Sequence, residues 1–312
     1  MKKYLINLFL CFILIFTLTG CNEALDLFDN LLDTPHYGLD ITNDEIQSQQ
    51  IITTPEGTLK ITFLDVGQGD ATLIQTANST ILIDTGDWRG HSHEMFQYHI
   101  TNKNITDVDL LILTHPHADH IGGAEWLIDN VNVIEVKYSS GSYDLIDTQT
   151  WERVLIAIDY NDVIVTHAEP GQIREFCDII IEILGPLPEL KTNANNASIF
   201  TRITHGNNQF QFSGDAYENA EIAMINAGLL REVDLVLLGH HGSSTSSSNQ
   251  YLEILNPTWA IISVGYDNNF GHPHQSVLST LDDLDVMVYR TDKNGTIQAI
   301  SDGQYISFKI FQ

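Results

Sequence analysis

The chain has 312 residues, 43% of them apolar, with 41 acidic side chains against 14 basic ones and a formal net charge of −27. That is ample material for a large buried core. The charge argues against a surface that holds nucleic acid by neutralising phosphates with Lys and Arg.

The first residues stand apart from the rest. Lys2 and Lys3 precede an apolar run over residues 5–18 that ends in small residues and Cys21. A run of about 14 residues is short of the roughly 20 that span a bilayer, whereas a charged start, an apolar middle and a small-residue end describe an export signal. Residues 1–20 are therefore read as a signal peptide. Leu18-Thr19-Gly20-Cys21 resembles the bacterial lipobox, which implies lipid on Cys21 and a chain tethered to the cell membrane on its extracytoplasmic side. Cys11 falls within the signal, leaving Cys177 alone in the folded part, where it reads as a small core residue. Residues 21–57 are acidic and polar without sustained periodicity and read as a linker. Residues 58–312 form the folded domain.

Within that domain, runs 60–64, 71–75 and 80–83 predict three adjacent strands, followed by a helix over 93–101 and an apolar strand over 110–113. Gly122-Gly123 opens a predicted helix to 129, and a strand follows over 131–137. Further strands are expected at 163–165, 179–184, 199–204 and 209–212, with a helix over 217–226. The last third predicts strands at 234–238, 259–263, 285–289, 297–300 and 305–310, and helices at 250–255 and 275–281. The order suits an α/β fold of two mixed sheets packed face to face with helices outside.

The chemistry concentrates in Thr114-His115-Pro116-His117-Ala118-Asp119-His120, directly after the 110–113 strand. In extended backbone His115 and His117 project to the same side, so both imidazoles can reach one ion. The turn beyond carries Asp119 and His120 toward a second position. Imidazole and carboxylate without thiolate suit zinc, iron or manganese at a reactive centre more than a structural zinc site. Asp215 follows the 209–212 strand through Ser213 and Gly214, small residues that permit a close turn; a helix cap is its alternative role. His240-His241-Gly242-Ser243 also sits at a strand end, and one of this pair is expected to supply a further imidazole. His272 and His274 flank Pro273 before a helix, where they are candidates for a last ligand or a substrate contact. His91 and His93 are accessory candidates only.

H-x-H-x-D-H after a strand resembles the metal motif of the metallo-β-lactamase superfamily. Phe63-Leu64-Asp65-Val66-Gly67-Gln68-Gly69-Asp70-Ala71, Leu82-Ile83-Asp84-Thr85-Gly86, Ser213-Gly214-Asp215, His240-His241-Gly242-Ser243 and Gly271-His272-Pro273 occur in the order seen in the extracellular hydrolase domain of ComEC/Rec2 competence proteins. The resemblance covers residues 59–312 and implies the four-layer αββα fold. It also implies two divalent metal ions, with zinc the first choice and manganese the second. His115 and His117 would hold the first ion and Asp119 and His120 the second, with Asp215 between them and His240, His241 and His272 as further metal candidates. Asp119 and His241, with Asp65 and Asp70 of the glycine loop, are the catalytic candidates; simple turn roles remain open for Asp65 and Asp70. Asp84 is expected to orient the metal loop instead of binding metal. One departure is that Asn195-Asn196-Ala197-Ser198 stands where many superfamily members have a further histidine.

The implied activity is metal-dependent hydrolysis, with a surface phosphodiesterase or nuclease acting on DNA as the first reading. A phosphocholine or other small-ester hydrolase acting on envelope polymers is the second. A noncatalytic metal-stabilised binding module is the reading from another class.

Overall fold

The computed structural model describes residues 57–141, 148–176 and 178–311. The expected signal peptide, Cys21, most of the linker, and Cys177 lie outside the described residues. Among the described residues no helix is long and apolar enough to cross a membrane.

Among the described residues seventeen strands assemble into two mixed sheets and a short two-stranded ribbon. The first sheet runs β17 (Ile306–Phe311), β16 (Thr296–Ser301), β1 (Leu59–Phe63), β2 (Thr72–Gln75), β3 (Thr80–Ile83), β5 (Leu110–Leu113), β7 (Glu135–Tyr138) and β8 (Ile164–His167). The second runs β15 (Met287–Arg290), β14 (Trp259–Ile262), β13 (Leu235–Leu237), β12 (Asn208–Phe212), β11 (Thr201–His205), β10 (Ile179–Ile183) and β9 (Ile173–Phe176). β4 (Asp107–Val108) and β6 (Asn132–Val133) form the ribbon.

Side-chain alternation explains the layering. Leu110 and Ile112 of β5 join Ile61, Phe63, Ile181, Phe210, Leu235 and Ile261 in a core shared by the two sheets, with the Phe63 and Phe212 rings stacked 6.4 Å apart across it. Leu111 and Leu113, one residue on, face Phe96, Leu127 and Val154 of the helices Gly90–Asn102, Ala124–Asn130 and Gln149–Tyr160. On the far side, Val236, Ala260 and Ile262 pack against Met224, Leu252 and Leu281 of the helices Glu218–Asn226, Asn249–Leu255 and Gln275–Asp283. Strands buried on both faces must be apolar throughout, which is why β5, β13 and β14 read as unbroken hydrophobic runs. Each such side chain contributes about 1.5–3 kcal/mol on leaving water. The result is the expected order of helix, sheet, sheet, helix.

Several boundaries differ from the sequence reading. The strand expected over 131–137 is broken at Ile134, because its first part pairs with β4 and its second with β5. The helix Gln149–Tyr160 was not anticipated, although Thr148 caps it by accepting the Trp151 N–H. The edge strand β9 was not anticipated either. Asp119 and His120 lie in a helical turn, Ala118–Ile121, and not in a loop awaiting a helix.

Candidate metal centre

The carboxyl ends of β3, β5, β12, β13 and β14 converge at one edge of the sandwich, the place where open parallel sheets build their sites. β3 delivers Asp84, whose φ of 60° turns the chain sharply and whose N–H donates to the Ile112 carbonyl. Its carboxylate accepts the Thr114 N–H at 2.8 Å and the Thr114 hydroxyl at 2.7 Å, and faces His120 Nδ1 at 2.7 Å. Asp84 thereby locks the ends of two neighbouring strands and fixes the His120 ring, leaving Nε2 to point inward. Thr85 seals the same turn, its N–H and hydroxyl both donating to the His120 carbonyl.

The glycine loop presses on this turn from the side. Asp70 N–H donates to the Asp119 carbonyl at 3.1 Å, and Gly86 N–H donates to the Asp70 carbonyl. A Cβ on Gly69, where φ is +144°, would sit 2.5 Å from the Asp119 carbonyl oxygen, so only glycine fits.

Asp215 occupies the middle. Its backbone N–H donates to Ser198 Oγ, and Gly214 at φ +51° brings the turn against Ser198 and Thr114. Its two carboxylate oxygens face different histidines. Oδ2 lies 3.6 Å from His115 Nε2 and 3.7 Å from His240 Nε2. Oδ1 lies 3.1 Å from His120 Nε2 and 3.8 Å from His241 Nε2. His115 Nε2 and His117 Nδ1 are 2.9 Å apart, and His241 Nε2 lies 3.3 Å from Asp119 Oδ2. Two groups of potential ligand atoms result, each within 4.8 Å: His115, His117 and Asp215 on one side, and Asp119, His120, Asp215 and His241 on the other. Asp70 groups with Asp84 and His120, and its Oδ1 lies 3.5 Å from His241 Nδ1.

These residues fit divalent cations. His120 Nε2, Asp215 Oδ1 and Asp70 Oδ1 are fully buried without a hydrogen-bond partner among the described residues, an arrangement that costs stability unless something else satisfies the atoms. His120 Nε2 and Asp215 Oδ1 approach at 3.1 Å out of hydrogen-bond alignment, as donors aimed at a common ion do. The donor set of imidazoles and carboxylates suits zinc and manganese alike.

The protein's own charges meanwhile compensate one another. Burial, reinforced by the neighbouring His120, holds His115 well below the usual imidazole range. Burial acts the same way on His120 and His241, but Asp215 with Asp84, and Asp215 with Asp70, outweigh it and raise both well above that range. For Asp215 burial favours the neutral acid; the surrounding His120, His241 and His115 override it and hold the carboxyl well below its ordinary value.

The His240-His241 pair is set by three successive left-handed residues, His240 (φ 53°), His241 (φ 56°) and Gly242 (φ 78°). This turn sends the two rings to opposite oxygens of Asp215, so both members of the pair face the centre. His241 is anchored by Nδ1 to the Ser263 carbonyl at 3.0 Å, and His240 by Nδ1 to the Thr245 hydroxyl at 2.9 Å. His272 stands at the rim, its ring 5.6 Å from that of His240, and burial with the charge of His241 pushes its pKa down to about 4. His274 Nδ1 instead accepts the Ser244 N–H.

Some expected residues are not brought in. The Asp65 carboxylate accepts the Gly67 N–H and closes a tight turn, so this catalytic candidate joins none of the ligand groups. His91 pairs with the exposed Glu94, and His93 contacts Gln97 on its own helix. Asp215 does not cap the following helix, whose N-cap is Tyr217. Where a further histidine was absent, Asn195 donates to the Tyr217 hydroxyl and Asn196 accepts the Tyr217 N–H, so the segment braces the Asp215 turn. The sequence reading assigned nothing to Glu221 or Ser247. Glu221 is fully buried and accepts the N–H groups of Ser247 and Ser248, while Ser247 Oγ accepts the Gly239 N–H just before the histidine pair. An acidic residue on a helix carries no sequence mark of such burial.

Comparison with known proteins agrees with the fold. The family model described as the metallo-β-lactamase superfamily matches residues 64–266. ComE operon protein 3 of Bacillus subtilis is 31% identical over 255 residues, which cover 77% of this chain and 32% of that protein. Recombination protein 2 of Haemophilus influenzae is 31% identical over 245 residues, covering 77% and 29% respectively. The chain thus spans about a third of the length of these relatives. CmlA, a diiron β-hydroxylase from Streptomyces venezuelae, shares the fold with a TM-score of 0.50 at 15% identity, over 76% of this chain and 53% of that one. With these matches and the αββα architecture, the chain belongs to the metallo-β-lactamase superfamily.

Proposed function

We propose that this superfamily hydrolase is a lipid-anchored, extracytoplasmic phosphodiesterase that uses two divalent cations, zinc first and manganese second. The observation that carries the reading is Asp215, whose two buried oxygens face two separate sets of imidazoles. His115, His117 and His240 would hold one cation and Asp119, His120 and His241 the other, with Asp215 shared. Bound cations at such a site supply Lewis acidity and a nucleophile from water near neutral pH. The chain's own part is to orient. Asp84 and Thr85 fix His120, Ser263 fixes His241, and Ser198 fixes the Asp215 backbone. His272 at the rim is a neutral imidazole placed to meet a substrate oxygen. Asp70 supports His241 from behind.

Phosphodiester as substrate is supported by the likeness to Recombination protein 2, whose name points to nucleic acid. The net charge of −27 supports a second reading, hydrolysis of small zwitterionic or neutral esters on envelope polymers, which an acidic surface does not repel. Purified chain loaded with zinc or manganese is expected to hydrolyse bis-p-nitrophenyl phosphate and single-stranded DNA. His117→Ala should abolish nearly all turnover, and equal activity in the variant rejects the assigned site. Turnover confined to phosphocholine esters selects the second reading. Metal binding that raises the melting temperature with no turnover on either panel leaves a binding module. For the anchor, cells expressing the chain are expected to incorporate labelled fatty acid, and Cys21→Ser should lose the label.

A further inference from the structure

The loop from Gly265 to His272 leaves β14 and returns to the metal centre, and a single residue staples it. Asn268 Nδ2 donates to the carbonyls of Gly265 and His272 at 3.0 and 2.7 Å, while its Oδ1 accepts the N–H groups of Phe270 and His272 at 3.2 and 3.0 Å. On this held loop Phe270 is 64% exposed. One face of its ring lies on His272, with centroids 5.6 Å apart and planes inclined by 24°. His272 in turn lies over His241, at 6.3 Å and 29°. Two successive stacked pairs therefore lead from the exposed Phe270 through His272 to His241, one of the donors of the second cation position. An exposed apolar ring on a preorganised loop loses little entropy when another ring covers it.

We propose that Phe270 is a stacking platform for a nucleobase of the nucleotide neighbouring the scissile phosphodiester. The proposal rests on the phosphodiesterase reading and narrows it to nucleic acid. It also meets the difficulty posed by the charge of −27. A polyanion gains nothing from this surface through phosphate neutralisation, whereas a neutral base stacked on an aromatic ring gains affinity regardless of surface charge. An aliphatic phosphodiester polymer has no group that uses such a platform.

The test uses the metal-loaded full-length chain and two fluorescein-labelled probes of equal length, phosphorothioate oligothymidylate and its abasic counterpart, with binding read by anisotropy. Wild type is expected to bind the thymidylate more tightly than the abasic probe. Phe270→Ala should weaken the thymidylate complex by about tenfold, the scale of one base on an aromatic ring, and leave the abasic complex unchanged. Phe270→Trp should restore it. Equal loss on both probes, no loss on either, or equal binding of both by wild type overturns the platform. Cleavage of unmodified DNA is measured in parallel. Base-dependent binding without cleavage keeps Phe270 as a base platform but rejects the phosphodiesterase and with it the place beside a scissile bond, and cleavage without base-dependent binding keeps the phosphodiesterase and rejects the platform.

Discussion

Two glycines with one residue between them separate the cost of backbone shape from the cost of contact. Gly67 has φ +71° and open space where a Cβ would stand, whereas Gly69 has φ +144° and the Asp119 carbonyl 2.5 Å from that point. Gly67→Ala is expected to lose about 1 kcal/mol, the price of a left-handed residue with a side chain. Gly69→Ala should lose about 2–4 kcal/mol, because the loop must retreat from the Asp119 turn. Thermal melts of the two variants, with elemental analysis of bound metal, check the difference; only the second should also shed metal. At the centre itself, Asp215→Asn keeps the shape but removes the charge shared by the two donor groups. Metal content is expected to fall from about two ions per chain to one or fewer, with at least a hundredfold loss of turnover.

Among the elements, the helix Glu218–Asn226 acts on the histidine pair through the backbone of Ser247 and Ser248. Its Glu221 carboxylate holds the Ser247–Ser248 backbone, and Ser247 in turn holds Gly239, so the left-handed turn of His240 and His241 is braced from below. Burial pushes the Glu221 carboxyl up to about 7 from an ordinary 4.5. A raised folded-state value favours folding while the group is protonated in both states, below about pH 4.5. That contribution is lost as pH rises toward about 7, where the folded chain must ionise a buried acid. Glu221→Gln should therefore flatten the fall in melting temperature between pH 5 and 8 relative to wild type, and an unchanged slope removes Glu221 as its source. Legibility from sequence followed the same division. Ligand-type side chains at the ends of apolar runs, from Asp84 to His241, were readable because strand ends are where such sheets place chemistry. The helix Gln149–Tyr160 was hidden because Leu155 and Ile156 are exposed beside buried Val154, Ala157 and Ile158, which blurs the helical period. The broken strand at Ile134 and the orientation of His240 against His241 depend on partners distant in the chain.

For the molecule as a whole, charge and architecture pull on the substrate in opposite senses. At about 10 mM salt the field of an acidic chain reaches roughly 30 Å, and at 0.15 M roughly 8 Å. For an oligonucleotide substrate kcat/KM is accordingly expected to rise over that interval, the reverse of a basic nuclease, while a zwitterionic ester should show no such rise. Steady-state rates at fixed metal concentration test this. The donors also come from far apart along the chain: His115, His117, Asp119 and His120 follow β5 of one sheet, and Asp215, His240 and His241 follow β12 and β13 of the other. During synthesis His120 emerges 95 residues before Asp215 and 121 before His241. A ribosome-bound fragment that stops short of Asp215 thus lacks the carboxylate common to both donor groups, and neither group is complete until strands of both sheets have been made. Loading of the proposed cations would therefore wait on the meeting of the two sheets, and draw on the ions available where folding ends instead of those where translation began.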